Sequence, residues 1–415
     1  MKLLLLFFIP SIIFAQSFII SKIPLPKTYI ENLDPYECDT LCLQNYLDKG
    51  MLFSFLAHAD HKLKDKSLDE IRKMNFTILN LGMSNTSNGL NIAMLLPYNK
   101  IGKYAASTTN AVFIYLMTKS NSFSLKSYKV ASEEQDAIET ALKKIEADGY
   151  KYVIAPFTKK GVESVIAINP NLNIYFPTVN KNDINTTSPS LYFGGIDYKK
   201  QSNILLKKAV SPLVIFSDRS AIGKELAKYQ KEEFLTQIID KNNTEFDDDT
   251  NLYKPKKVIQ YRVSQRMTNL QRYLKDNKKI DNGSFFINTP IIKTGMIISQ
   301  LTLYDVNQTN ILSTQINYDP LLLSMTQYRD RKKMIIANSI TEENNILIEA
   351  NRLMHNDIVY DWINYSTTIA IDYFYSLITG MPREYKFPMQ ENQIIYDVEL
   401  VKLGVSKFLR YNSQN

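Results

Sequence analysis

Residues 125–155 read LKSYKVASEEQDAIETALKKIEADGYKYVIA. The segment predicts a strand at 125–130, and the spacing of apolar residues over 138–145 predicts a helix after it. Residues 132–135 (Ser-Glu-Glu-Gln) resemble a capping box that would begin this helix. Residues 152–155 form a continuous apolar run, which is typical of a strand covered on both faces. A strand, a helix and a strand joined by short loops indicate a right-handed crossover within a parallel sheet.

The same alternation continues on both sides of this segment. We predict further strands at 91–97, 173–177, 191–196, 213–216, 258–263, 285–288, 311–316 and 334–338, and a terminal hairpin at 393–401 and 405–410. Helices are predicted between them, among them 104–118, 161–168, 199–208, 267–275, 293–304 and 362–377.

Two consecutive sets of this kind predict an α/β protein with two doubly wound parallel-sheet lobes joined by hinge crossovers. We place the first lobe at 91–197 with about 342–392, and the second at about 198–341 with 393–412. A ligand crevice is expected at the carboxyl ends of the strands.

Composition sets limits on the class of protein. The 415 residues are 45% apolar and 22% charged, as in ordinary globular proteins, and the net charge is +7. The sequence indicates that this charge is scattered along the chain, which predicts no nucleic-acid partner. Only three His and two Cys are present, which argues against a multi-metal enzyme.

The first 15 residues resemble a secretory signal peptide. Lys2 supplies the charge, residues 3–14 are almost entirely apolar, and Ala15 precedes the expected cleavage before Gln16. An uncleaved anchor is the alternative. The later apolar stretch at 362–378 is interrupted by Asp372, so we expect no stable membrane span after cleavage and a periplasmic location.

Residues 16–90 predict a helical N-terminal extension that ends in a polar linker from 82 to 89. Cys38 and Cys42 are spaced to meet over one helical turn, which favours a disulfide in an oxidising compartment. The alternative is a zinc site formed by the same two thiols with His58 and His61.

Polar residues suggest a long loop in one segment and glycosylation at two asparagines. Residues 240–257 form a long polar insertion containing three consecutive Asp at 247–249, for which a solvated loop is favoured over calcium ligation. Asn185 and Asn242 lie in acidic extended glycosylation sequons, so both are candidate glycosylation sites.

Three segments show a family resemblance. Residues 91–98 (NIAMLLPY), 155–163 (APFTKKGVE) and 192–201 (YFGGIDYKKQ) resemble the first strand, the third strand with its loop, and the crossover of the type I periplasmic-binding-protein fold. They are more similar to the outer-membrane activator of penicillin-binding peptidoglycan synthases than to a branched-chain amino-acid binder. The resemblance covers about residues 90–412.

The resemblance implies that a ligand would bind between the lobes, at loops that follow strands. The candidate ligand-binding residues are Tyr98, Asn99, Phe157, Thr158, Asn180, Asp218, Ser220 and Thr289. Thr158 could donate a hydroxyl to an anion, and Asp218 could bind an amine. The alternative for Asp218 and Ser220 is simple helix capping.

No nucleophile, phosphate-binding or metal motif is recognisable, so we predict a non-enzyme without cofactor or metal. The first hypothesis is a binding protein that delivers a small polar or anionic solute to a membrane transporter or sensor. The second is a ligand-independent scaffold or regulator of an envelope assembly such as a wall-synthesis complex.

The aromatic residues at 360–375 are predicted to belong to the core of the first lobe, with a partner-docking face as the alternative.

Overall fold

The computed structural model describes residues 30–79, 81, 89–236 and 256–411. They form two compact units, one containing 30–32 with 36–81, the other containing 33–35 with 89–411. The predicted signal peptide, its cleavage point, linker residues 82–88, most of the 240–257 insertion and the Asn242 sequon lie outside the described residues. Asn185 is exposed, and its glycosylation stays a prediction.

The first unit contains the helices α1 (Thr40–Asp48), α2 (Leu52–His58) and α3 (Lys66–Ile78). Their apolar faces meet in a small core that includes Phe55 and Leu68. Buried Asp69 accepts hydrogen bonds from Lys73, from the Leu63 N–H and from Arg72. The Lys73 bond is the largest of the effects that hold the pKa of Asp69 well below its usual range.

The disulfide prediction is confirmed. Cys38 and Cys42 are bonded, with their Cα atoms 5.3 Å apart at the start of α1. Because each sulfur is bonded to the other, neither is a thiolate ligand, and the zinc alternative is wrong. His58 instead pairs with Asn32 at 3.2 Å, and exposed His61 pairs with Asp60.

The second unit contains two seven-stranded sheets. The strands of the first are β1 (Leu90–Leu96), β2 (Phe123–Lys129), β3 (Tyr152–Ile154), β4 (Asn173–Phe176), β5 (Leu191–Phe193), β11 (Met389–Gln390) and β12 (Gln393–Ile394). They lie in the order β11-β12-β5-β4-β3-β1-β2, and β11 is antiparallel to β12 while every other pair is parallel.

Helices cover both faces of this first sheet. They are α4 (Tyr98–Ile101), α5 (Tyr104–Met117), α6 (Gln135–Ala147), α7 (Lys159–Ile168), α14 (Asn345–Leu353) and α15 (Trp362–Thr379). One core joins a face of the sheet to α5, α14 and α15, and a second joins the opposite face to α6 and α7. Burial on both faces explains why these short strands read as continuous apolar runs.

The second sheet repeats the plan. Its strands are β6 (Leu213–Ser217), β7 (Val258–Arg262), β8 (Ser284–Asn288), β9 (Asn310–Ser313), β10 (Met334–Asn338), β13 (Glu399–Leu403) and β14 (Phe408–Arg410), in the order β14-β13-β10-β9-β8-β6-β7. Its helices are α8 (Tyr198–Leu206), α9 (Ala221–Thr236), α10 (Gln271–Leu274), α11 (Ile291–Leu303), α12 (Leu321–Met325) and α13 (Tyr328–Arg331). The prediction of two α/β lobes with mostly parallel sheets is confirmed.

Some predicted elements are wrong in detail. Gln393 and Ile394 pair with the first sheet, because Gln393 lies beside Phe193, so the terminal hairpin contains only β13 and β14. The helix predicted at 267–275 shortens to α10. Residues 132–135 form no capping box, since the cap of α6 is Glu134 and its side chain makes no capping bond. The lobe boundaries drawn from the sequence stay a prediction.

A buried carboxylate connects α15 to its surroundings. Asp372 is fully buried and accepts hydrogen bonds from Tyr115 Oη and Glu384 N, each at 2.8 Å, and from Tyr385 N at 3.2 Å. Burial raises its pKa, and the three donors oppose that effect. On the same helix Phe374 is buried in the core of the first lobe.

Within the described ranges, no helix is both long and apolar enough to cross a membrane.

We expect Asp372→Ala to lower the free energy of unfolding by about 2–4 kcal/mol, because it leaves buried N–H and O–H donors without an acceptor. Tyr115→Phe removes one donor and leaves the carboxylate with two, so its cost should be about 1 kcal/mol. Urea denaturation of both variants measures the difference. Equal losses in the two variants would contradict this role for Asp372.

Candidate functional site

A cleft of about 590 Å³ lies between the two lobes. The first lobe contributes the loops after β1, β3, β4 and β5, which all end at the same edge of the parallel sheet. The second lobe contributes the first half of α9, from Ser220 to Tyr229, and Ile363 of α15 completes the lining. Strand ends and a helix start therefore build the crevice at the edge where the parallel topology predicts it.

The lining is mainly apolar and aromatic. Its apolar and aromatic members are Ile101, Tyr104, Pro156, Phe157, Val179, Ile196, Tyr198, Ala221, Ile222, Leu226, Tyr229 and Ile363. Polar and charged side chains lie among them, on the loops of the first lobe and on α9. A cleft of this size with a mostly apolar lining has the dimensions of a small-molecule site.

Four of the eight residues proposed from the sequence line this cleft: Phe157, Thr158, Asn180 and Ser220. Phe157 is fully buried and stacks near Phe176, with the ring centroids 6.5 Å apart. Ser220 is exposed, and its Oγ accepts from Gly223 N at 3.0 Å while donating to Asp218. Their binding roles stay a prediction.

Thr158 is already engaged by the protein itself. Its hydroxyl donates to the Glu133 carboxylate, and its backbone N–H donates to the same carboxylate at 2.7 Å. Glu133 is 2% exposed, and Ser164 Oγ donates to its backbone oxygen at 2.9 Å. Because Thr158 is the N-cap residue of α7, the Glu133 carboxylate lies beside the start of that helix, where an anion is favoured.

Asn180 also uses its side chain internally. Its Nδ2 donates to Gly195 O at 3.0 Å, and its Oδ1 accepts from Asn182 N at 2.9 Å. A Cβ at position 195 would lie 2.2 Å from the carbonyl carbon of Val179, so only glycine permits this close approach. Asn180 and Gly195 thus join the loop after β4 to the crossover after β5.

The other four proposed residues lie outside the lining. Tyr98 packs against the core of the first lobe, and exposed Asn99 donates to Ala131 O at 2.9 Å. Asp218 accepts from both the N–H and the hydroxyl of Ser220, which is the capping alternative. Thr289 is 1% exposed and lies 2.9 Å from the Thr294 hydroxyl.

Sequence reasoning missed the aromatic and apolar walls of the cleft. Tyr104 begins α5, Tyr198 begins α8, and Ile222, Leu226 and Tyr229 follow one face of α9. The i, i+4 and i+7 spacing of the last three predicts one apolar face of a helix, and only the position of the second lobe turns that face toward the cleft. Tyr229 Oη donates to Asn203 at 2.8 Å.

Charged groups of both lobes face each other across the cleft. Half-buried Asp183 of the first lobe lies 3.5 Å from Lys199 Nζ, and Glu225 projects from α9. Burial raises the pKa of Asp183, Lys199 opposes the shift, and the charge of Glu225 adds to it. Burial also raises the pKa of Tyr198 above its usual range.

Metal binding finds no support in the described part of the chain, where no group of three or more His, Cys, Asp or Glu is placed to hold an ion.

No protein-family model matches the sequence, and no curated protein matches it. Solved structures do match. The leucine-binding protein LivK of Thermotoga maritima aligns at a TM-score of 0.54 and 12% identity, over 78% of this chain and 98% of its own. The isoleucine complex of LivJ, a branched-chain amino acid transporter substrate-binding protein of Streptococcus pneumoniae, aligns at 0.51 and 11%, over 77% and 97%.

LpoA of Haemophilus influenzae also matches, at a TM-score of 0.50 and 10% identity, over 90% of this chain and 72% of its own. Identities this low establish the fold alone. The second unit therefore has the type I periplasmic-binding-protein fold, which confirms the resemblance predicted from the three sequence segments.

We expect Glu133→Ala to lower the free energy of unfolding by about 2–3 kcal/mol, because the backbone N–H and the hydroxyl of Thr158 both lose a charged acceptor. The matched control is Glu134→Ala, which removes only an ion pair with Lys160 between two exposed side chains and should cost less than about 1 kcal/mol. Denaturation of the two variants, and of each combined with Thr158→Val, measures the coupling. If Thr158→Val lowers the free energy of unfolding by the same amount with and without Glu133→Ala, the two side chains are not coupled.

The raised pKa of Asp183 makes the stability of the fold depend on pH. Its pKa is higher in the folded than in the unfolded chain, so its ionisation destabilises the fold as pH rises through the interval between the two values. Asp183→Asn lacks this effect. The melting temperature of the variant minus that of the wild type should therefore increase between about pH 3 and pH 7. A constant or falling difference would contradict the raised pKa.

Proposed function

We propose that this protein is a non-enzymatic, exported binding protein that holds a small solute between its two lobes. The observation that carries the proposal is the interlobe cleft of about 590 Å³, walled by apolar and aromatic side chains from both lobes. A ligand that contacts both walls favours the closed arrangement of the lobes, which is how hinged binding proteins convert occupancy into a change of shape. The hinge positions are the crossovers near 194–198, 339–344 and 395–398.

The lining supports a solute with an apolar body rather than the small polar or anionic solute predicted from the sequence. Thr158, Asn180 and Ser220 are all committed to hydrogen bonds within the protein. The Glu133 carboxylate already occupies the start of α7, so a second anion there would be repelled. Tyr104 and Tyr198 line the cleft, and within the described part of the chain their hydroxyls make no hydrogen bond, so they are available to one polar group of the solute.

Delivery to a transporter is the cellular role we infer. LivJ is named as the substrate-binding protein of a branched-chain amino acid transporter, and LivK as a leucine-binding protein. Their ligands have small apolar side chains, which agrees in character with the walls of this cleft. The signal-like residues 1–15 and the Cys38–Cys42 disulfide support export to the periplasm.

A second candidate function is an envelope regulator that uses the same fold without a ligand. The observation that favours it is the extent of the LpoA alignment, which covers 90% of this chain against 78% for LivK. LpoA is described as a regulator of PBP1A. Under this alternative the partner is a wall-synthesis protein.

Thermal unfolding of residues 16–415 against apolar and aromatic amino acids, small peptides, nucleosides and wall fragments tests the proposal. A ligand at about 100 times its Kd should stabilise the fold by about 2.7 kcal/mol and raise Tm by about 2–4 °C. Ile222→Trp should abolish the shift, because an indole on the exposed second residue of α9 fills the cleft.

The matched control is Ile292→Trp, which changes the exposed second residue of α11 in the same lobe and should leave the shift intact. A shift that survives Ile222→Trp would place the ligand elsewhere. A flat panel would favour the regulator, and purified wall synthases would then be tested for binding.

A further inference from the structure

The excess positive charge of the chain is concentrated in one region, so the prediction that it is scattered along the chain is wrong. Residues 256–293 hold nine of the 49 Lys and Arg but only two of the 42 Asp and Glu. The rest of the chain holds 40 of each sign, so this one segment accounts for the whole net charge of +7. A local excess of this kind is a feature of a surface that meets an anionic partner.

Two of the nine basic side chains are used inside the fold. Lys256 donates to Phe234 O, and Lys293 donates to Met267 O at 2.6 Å. Six others are exposed and lie within 18 residues of one another, at the end of β7 and in the connection to β8. We call them the basic face: Arg262, Arg266, Arg272, Lys275, Lys278 and Lys279.

The connection that carries the basic face is firmly attached to the second lobe. Val263, Leu270, Leu274 and Ile280 are at most 1% exposed and pack in the same core as α11. Buried apolar residues thus alternate with exposed basic ones along this segment. The backbone that carries the charges is therefore anchored to the core of the second lobe.

Nothing in the described part of the chain neutralises the basic face. None of its six side chains forms an ion pair with a described carboxylate, and only Asp276 and Asp281 lie among them in the sequence. By contrast, the lysines of α9 alternate with Glu225, Glu232 and Glu233. The same lobe therefore carries one locally neutral helix and one positively charged connection.

The aromatic residues beside the basic face are closed to bases of nucleic acids. The ring centroids of Tyr261 and Tyr273 are 4.9 Å apart, and the Arg272 guanidinium carbon lies 4.4 Å from the centroid of the Tyr273 ring. Stacking on single strands needs an open aromatic face. Ile292, on the helix that supports this region, is instead 57% exposed and can enter a lipid interface.

We propose that the basic face docks the second lobe onto an anionic phospholipid surface. The phosphate groups of such a surface are distributed over its whole area, so each of the six separate cations can add to the attraction. The exported location proposed above puts the face within reach of an envelope membrane. This docking is independent of the interlobe ligand, because none of the six side chains lines the cleft.

Co-sedimentation of residues 16–415 with vesicles tests the inference. The vesicles contain phosphatidylcholine with or without about 30% phosphatidylglycerol. We expect binding only to the anionic vesicles at about 50 mM NaCl, and loss of binding at about 500 mM, where charge is screened within a few ångströms. The triple variant Lys275→Gln, Lys278→Gln and Lys279→Gln should bind about 10- to 100-fold more weakly.

The matched control is the triple variant Lys224→Gln, Lys228→Gln and Lys231→Gln on α9. It removes the same number of exposed charges from the same lobe and should retain binding within about threefold. Unchanged thermal unfolding confirms that both variants are folded. Failure of the wild type to bind anionic vesicles, or equal weakening by the two triples, would overturn the proposal, as would tighter binding to single-stranded DNA or to an acidic polysaccharide than to the vesicles.

Discussion

Parallel pairing is the constraint from which the rest of this structure follows. A strand that pairs in parallel with its neighbour must be reached by a crossover, and the crossover helices cover both faces of the sheet. All the parallel strands of a sheet then end at the same edge, and their loops collect there. In the first lobe, the loops after β1, β3, β4 and β5 form one wall of the cleft for this reason.

The cleft differs from a simple anion site because the protein supplies its own carboxylate. Glu133 lies on the segment between β2 and α6, yet it satisfies the start of α7, which follows β3. Only β1 separates β2 from β3 in the parallel sheet, so the two loops lie close together at the same edge, and the helix start favours a negative charge. Under the proposed function, the selectivity for a solute would therefore depend on the walls of the cleft, where Tyr104, Tyr198 and Ile222 lie.

In the second lobe, the residues that line the cleft differ from those that carry the excess positive charge. Its α9 helix faces the cleft with apolar residues and balances Lys against Glu on its exposed positions. The connection after β7 instead carries an unbalanced positive charge over a core of buried Leu, Ile and Val residues. Under the two proposals, the solute and the anionic surface would therefore contact different residues.

The sequence by itself determined the α/β class, the two lobes and the disulfide. Strands buried on both faces must be apolar throughout, and helices with one buried face must repeat at 3.6 residues, so both patterns are readable locally. The Cys38–Cys42 spacing is equally local.

Tertiary structure alone decided which residues meet. Thr158 was readable as a hydroxyl after a strand, but its partner Glu133 lies 25 residues away and resembled part of a capping box. The apolar stripe of α9 was readable as buried, but only the apposition of the lobes makes it a cleft wall. Gln393 followed the pattern of a strand, yet its pairing partner Phe193 lies 200 residues earlier in the chain. Patterns along a chain report the burial of each residue, whereas contacts between distant residues depend on how the crossovers place whole strands and helices.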